Sequence, residues 1–155
     1  MIHRLFPTQI DNKFRGHWLG FVIFVLVIIA KGGQAIQTIV HTRATATGPD
    51  GISLTGLNDS QVDEVLSLFA VLGVYGLILP AISVVVLLRW RALVPFMYLC
   101  YIVFFFANRL LHYLHPNFAH EKVAFGLYIN LAILTVTVIG LLLSLKPNSG
   151  AVSEA

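Results

Sequence analysis

Residues 65 to 88 read VLSLFAVLGVYGLILPAISVVVLL, an apolar stretch without a single charged residue. It is longer than the roughly 20 residues that a helix needs to cross the hydrocarbon core of a bilayer. Charged residues make up only 11% of the whole chain, whereas soluble domains carry roughly 25%. The stretch therefore predicts a membrane-spanning helix rather than the buried core of a soluble domain.

Three further apolar runs of similar length lie on either side of this stretch. None of them shows the alternation of apolar and polar residues that is typical of the short strands of a membrane β-barrel. Arg89-Trp90-Arg91 separates the second run from the third and predicts a tight hairpin with an interfacial Trp. The sequence thus predicts an all-α, membrane-embedded, antiparallel four-helix bundle over residues 17 to 146. The spans are expected at 17–40, 65–88, 93–114 and 123–145, with a lead-in at 1–16, an irregular outer loop at 41–64 and a tail at 147–155.

The ends of the second helix carry local signals. Asp59 or Ser60 is the expected N-terminal cap, with the acidic Asp63 and Glu64 in the first turn. Pro80 is expected to kink the helix. The first span has an alternative: basic residues followed by an apolar stretch and Gly33-Gln34-Ala35 resemble a signal peptide. Because apolar character resumes after this point, a retained span is favoured.

The distribution of basic residues predicts the orientation of the bundle. One side carries many more of them, and it is expected to be cytoplasmic together with both termini. The location that fits is a cell membrane, the bacterial inner membrane in particular. The richer side has Arg4, Lys13, Arg15, Arg89, Arg91 and Lys146, and the other has Arg43 and Lys122, with Arg109 just inside the membrane.

Polar residues within the spans cluster in the half of the membrane nearer the 41–64 loop. Polar groups are costly in lipid, so such a cluster is a candidate site. The sequence predicts an outer pocket between the first, third and fourth helices that binds an anionic or strongly polar ligand. The candidate ligand-binding residues are Lys31, Gln34, His41, Asn108, Arg109, His112 and Asn130.

Lys31 and Arg109 are both cations, and no Asp or Glu lies within any predicted span. A shared anionic ligand would relieve their repulsion, whereas proton pumps and cation carriers usually place an acid within the membrane. The alternative is that both side chains snorkel to the interface.

A weaker hypothesis concerns a metal. His112, His115, His120 and Glu121 form a string of residues that bind metals, but it matches no established zinc motif. No catalytic motif and no nucleic-acid-binding patch is present in the sequence, and the cofactor is unknown.

In length and helix number the whole chain resembles the small four-helix membrane proteins of bacteria, of which the DoxX-type family is the best-known group. Residues 6 to 12 (FPTQIDN) and 91 to 97 (RALVPFM) have the look of family signatures. The resemblance implies no functional residue. The sequence favours a binding or accessory protein over an enzyme, with membrane lipids, a second copy or a larger membrane complex as partners. The alternatives are a redox protein or enzyme that uses quinone or a metal at the outer pocket, and a transporter.

Overall fold

The computed structural model describes residues 2–114 and 125–146, and all regular structure within these ranges is helical. The helices are α1 (Ile2–Leu5), α2 (Trp18–Val40), α3 (Thr42–Thr47), α4 (Asp59–Arg89), α5 (Val94–Leu114) and α6 (Phe125–Leu145). A three-residue 3-10 turn, Arg91–Leu93, joins α4 to α5.

Four of these helices, α2, α4, α5 and α6, supply segments long and apolar enough to span a membrane. They confirm the predicted all-α fold with four spans and indicate a multi-pass membrane protein. The predicted boundaries differ most from the observed ones in the segment between the first two spans. The loop expected to be irregular contains α3, and α4 begins at Asp59 rather than at residue 65.

The start of α4 has a capping box. The Asn58 side chain accepts a hydrogen bond from the Gln61 backbone N–H (2.9 Å), and the Gln61 side chain accepts one from the Asn58 N–H (3.0 Å). Two of the backbone donors at the helix start are thereby satisfied. The predicted cap, Asp59 or Ser60, is therefore wrong by one or two residues. The helix continues to Arg89 through Pro80, which is buried.

The four long helices run antiparallel, and α2 lies between α4 and α6. The segment before α2, residues 2–17, folds back across the ends of the bundle, and we call it the strap. The Ala92 N–H donates to the Asp11 carbonyl (3.2 Å), and the His17 N–H donates to the Leu143 carbonyl (3.1 Å). The strap therefore lies at the same end as the α4–α5 connection and the end of α6. This is the strap end, and the end with residues 41–58 is the loop end.

The buried core lies in the strap half of the bundle and is centred on Tyr98. Its ring packs edge-on against Phe24 with centroids 5.1 Å apart, and its hydroxyl donates to the Gly20 carbonyl at 2.7 Å. Gly140 provides the space for the ring, because a Cβ there would collide with the Tyr98 hydroxyl. The cluster also includes Val27, Ile28, Val86, Val94, Met97 and Tyr101. Large apolar side chains cover much of the outside of the bundle, as lipid contact requires.

Candidate functional site

Lys31 lies within α2, roughly 14 Å from Val40 by the helical rise. Its ammonium group donates to the Asn130 Oδ1 of α6 at 2.6 Å and to the Gln34 Oε1 one turn along α2 at 3.1 Å. The side chain is thus directed toward a neighbouring helix and is partly buried. Among the residues that the structure describes, no carboxylate forms an ion pair with it.

The two amides that accept from Lys31 also line a cavity of about 240 Å³ at the loop end. A single buried water needs only about 10–15 Å³, so the space admits a ligand larger than one water. Its walls come from two helices and the loop between α2 and α4. They consist of Gln34, Gln37 and Thr38 from α2, Thr45, Pro49 and Asp50 from α3 and the loop, and Gly126, Ile129 and Asn130 from α6.

The loop becomes a wall of the cavity because it is tied to both helices. The Gly126 N–H donates to the Pro49 carbonyl at 2.8 Å, and a Cβ at Gly126 would lie 2.7 Å from that oxygen. The Thr45 hydroxyl donates to the Gln37 carbonyl at 3.4 Å. A glycine is thus required where the loop meets the first turn of α6, and the Asp50 carboxylate is carried to the cavity as a result.

The cavity has unused hydrogen-bond donors. Lys31 is hydrogen-bonded to two of the lining amides but is not itself a lining residue, and each amide group has two N–H donors. The amide nitrogens of Gln34 and Gln37 make no hydrogen bond within the described residues, whereas the Asn130 amide donates to the Gly126 carbonyl (2.9 Å). The walls can therefore donate to a ligand that carries acceptor oxygens.

Of the predicted site residues, Lys31, Gln34 and Asn130 come together, whereas none of the described side chains of α5 lines the cavity. Asn108 of α5 donates to the Phe104 carbonyl of its own helix (2.8 Å). The Arg109 guanidinium lies over the Phe105 ring, 5.6 Å from its centroid. The third wall is the loop instead, since its attachment to α6 closes the space.

His41 is exposed at the junction of α2 and α3 and does not line the cavity. The proposed metal residues His115, His120 and Glu121, and the side chain of His112, lie outside the described part of the chain. Elsewhere in residues 2–114 and 125–146, no group of three His, Cys, Asp or Glu side chains is arranged to hold a metal ion.

The sequence reasoning missed the loop's contribution, Thr45, Pro49 and Asp50. The available signal is Gly48-Pro49-Asp50-Gly51, a run of turn-forming residues within the predicted loop at 41–64. Pro and Asp are common turn residues, so the pattern alone did not indicate which helix the turn contacts. Comparison of the chain with protein-family models, with curated proteins and with solved structures finds no match.

Proposed function

We propose that this protein is a small binding or accessory membrane protein whose loop-end cavity holds an anionic or strongly polar ligand. The observation that supports the proposal best is the Lys31 ammonium, whose hydrogen-bond partners among the described residues are two neutral amide oxygens. A charge within a membrane is costly and is usually paired. A ligand with acceptor oxygens would pair with it.

The alternative that Lys31 snorkels to the interface is disfavoured by its hydrogen bond across to α6. A snorkelling lysine keeps its ammonium in the aqueous interface, whereas this one is directed to Asn130. The same argument does not extend to Arg109, whose guanidinium lies over a ring of its own helix. The ligand is therefore assigned to Lys31, Gln34 and Asn130, and a shared role for Arg109 is a separate hypothesis.

The finer parts of the proposal concern location. The excess of basic residues at the strap end favours a cytoplasmic position for it and for both termini, and the loop-end cavity would then open to the outer side. The bacterial inner membrane fits this orientation. Reporter fusions after Ala155 and within residues 48 to 56 test it, and an outward carboxy terminus would contradict it. The DoxX-type resemblance contributes nothing to the ligand assignment.

Native mass spectrometry of the protein, purified in mild detergent, tests the binding function. Wild type is expected to carry a small-molecule adduct that Lys31→Met loses. Lys146→Met, a matched change at an exposed lysine of the strap end, should retain it. If Arg109→Met also loses the adduct, the result would support the hypothesis that Arg109 and Lys31 share one ligand. An adduct that Lys31→Met retains, or no adduct on wild type, would contradict the proposal.

The same spectra address the alternative functions. A stoichiometric metal ion or a quinone adduct would favour the redox or enzyme class over a binding protein. A co-purifying protein, or a dimer of this chain, would support the accessory role, because a small subunit of a membrane complex is expected to retain its partner in mild detergent.

A further inference from the structure

A second polar cavity, of about 200 Å³, lies at the opposite end of the bundle from the candidate site. The strap forms most of its wall, with contributions from the start of α5 and the end of α6. Five of its lining residues offer hydrogen-bonding side chains, and two of them are guanidinium groups. These five, all from the strap, are His3, Arg4, Thr8, Gln9 and Arg15, and a sixth polar side chain, Ser144, already donates to the Leu141 carbonyl.

The strap is held rigidly enough to form a defined site. Besides its two backbone hydrogen bonds to Ala92 and Leu143, it packs Phe6 against Phe96 of α5 with ring centroids 5.7 Å apart. Gly16 lies so close to the end of α6 that any Cβ would collide with the Ser144 carbonyl. The guanidinium groups are thus carried on a segment with fixed contacts to α5 and α6.

The two arginines differ in how their charges are balanced. Arg15 makes two hydrogen bonds to the Asp11 carboxylate, at 2.6 and 3.0 Å. Arg4, which is half-buried, donates to the carbonyls of Leu145 (3.2 Å) and Arg15 (3.5 Å) and has no carboxylate partner among the described residues. The described part of the cavity therefore carries a net positive charge, that of Arg4, which no described side chain balances.

The level of the cavity in the membrane is indicated by the two tryptophans of the chain. Trp18, 58% exposed, begins α2, and Trp90, 42% exposed, directly follows α4, so both belong to the strap end. Tryptophan is enriched at the membrane–water interface, where lipid headgroups lie. A cationic cavity at this level would lie at the depth of the lipid phosphate groups.

From these observations we infer that the strap cavity binds a phosphate-type anion, with Arg4 as its principal charge partner and Arg15 as a second donor. Guanidinium groups suit phosphate oxygens because their planar donors can form paired hydrogen bonds. The anion is the phosphate of a lipid headgroup or a free phosphate. Arg4 also caps the carbonyl end of α6, and a capping role alone would leave the cavity without affinity for anions.

The test measures binding to delipidated protein in detergent with two probes, short-chain phosphatidylglycerol and inorganic phosphate. Arg4→Gln is expected to lower affinity about tenfold, the equivalent of one charge-assisted hydrogen bond. The matched control is Lys13→Gln, since Lys13 is an exposed cation of the same strap that does not line the cavity. It should change affinity less than about twofold, as should Lys31→Met, which lies beside the loop-end cavity and far from the strap.

A second variant keeps the test decisive if Arg4→Gln does not fold. Asp11→Asn frees the Arg15 guanidinium and is expected to raise affinity severalfold, whereas Asp63→Asn, with the same change in net charge at the loop end, should not. Tighter binding of the lipid than of inorganic phosphate would identify a headgroup, and equal binding would identify a free phosphate. Equal losses in Arg4→Gln and Lys13→Gln, or no binding of either probe, would overturn the inference.

Discussion

The two halves of the bundle are built differently, although the same helices run through both. In the strap half, Tyr98 is fully buried and contacts α2 and α6 through a ring contact, a hydrogen bond and the close approach of Gly140. In the loop half, α2 and α6 meet through Lys31 and Asn130 beside an open cavity. The strap half thus provides most of the packing, and the loop half provides polar groups that packing does not require.

The comparison predicts the largest effect at Tyr98. Tyr98→Ala is expected to lower the free energy of unfolding by about 3 kcal/mol, because it leaves a cavity in the only cluster of buried residues found in the described chain. Tyr113→Ala on the same helix should change it by less than about 0.5 kcal/mol, since Tyr113 is 82% exposed. Unfolding with SDS in detergent micelles measures both. Similar losses in the two variants would show that the strap half is no better packed than the surface of α5.

A smaller effect is expected from the glycines. Gly140→Ala should cost about 1–3 kcal/mol because the added methyl group collides with the Tyr98 hydroxyl. The methyl group added by Gly33→Ala would have no atom within 4 Å. Alanine also stabilises a helix relative to glycine by up to about 1 kcal/mol. The same unfolding assay should give opposite signs for the two changes. A neutral Gly140→Ala would contradict the close approach of α5 and α6.

In the loop half, the predicted effect is a coupling between two residues. Asn130→Leu leaves the Lys31 ammonium with one fewer acceptor and should cost about 1–3 kcal/mol. Lys31→Met removes the charge, so Asn130→Leu should cost much less in that background. The double-mutant cycle measures the coupling directly. Additive effects would mean that the two side chains do not interact within the membrane.

The smallest expected effect concerns pH at the strap. Hydrogen bonds from Arg15 and from the Lys13 backbone hold the pKa of Asp11 below its ordinary value of 3.8. A lowered pKa stabilises the folded protein at pH values above 3.8, and this contribution is lost as the pH falls through the folded-state pKa. Because the Asp11–Arg15 ion pair is partly open to solvent, the loss should be small. The difference in thermal stability between wild type and Asp11→Asn should shrink between pH 6 and pH 3, and a constant difference would exclude the ion pair as a source of stability.

Much of the fold followed from the sequence because the spans are determined by length and hydropathy, both of which are local properties. The pairing of Lys31 with Gln34 and Asn130 was also predictable, since helical spacing and depth place these residues at one level. The cap at Asn58 was missed because the alternatives Asp59 and Ser60 are equally good capping residues. The available signal is Gln61, which follows Asn58 at the three-residue spacing of a capping box.

The third wall of the cavity could not be predicted in the same way. It depends on where the loop folds, and the decisive contact joins Pro49 to Gly126, which are far apart in the chain. The depth of Arg109 within the membrane predicts a place in the pocket, but depth does not determine the direction of a side chain. Its guanidinium instead meets Phe105, four residues earlier on the same helix face.

Water access to the loop-end cavity is the central claim, and thiol labelling tests it most directly. In a Cys100→Ser background, Ile129→Cys places a thiol on the cavity wall, and Leu131→Cys places one on the exposed apolar surface of the same helix. A charged, water-soluble thiol reagent requires the thiolate, which forms in a hydrated cavity but not against lipid. We predict severalfold faster labelling at position 129 than at position 131. Equal rates, or faster labelling at 131, would contradict an open polar cavity beside Lys31.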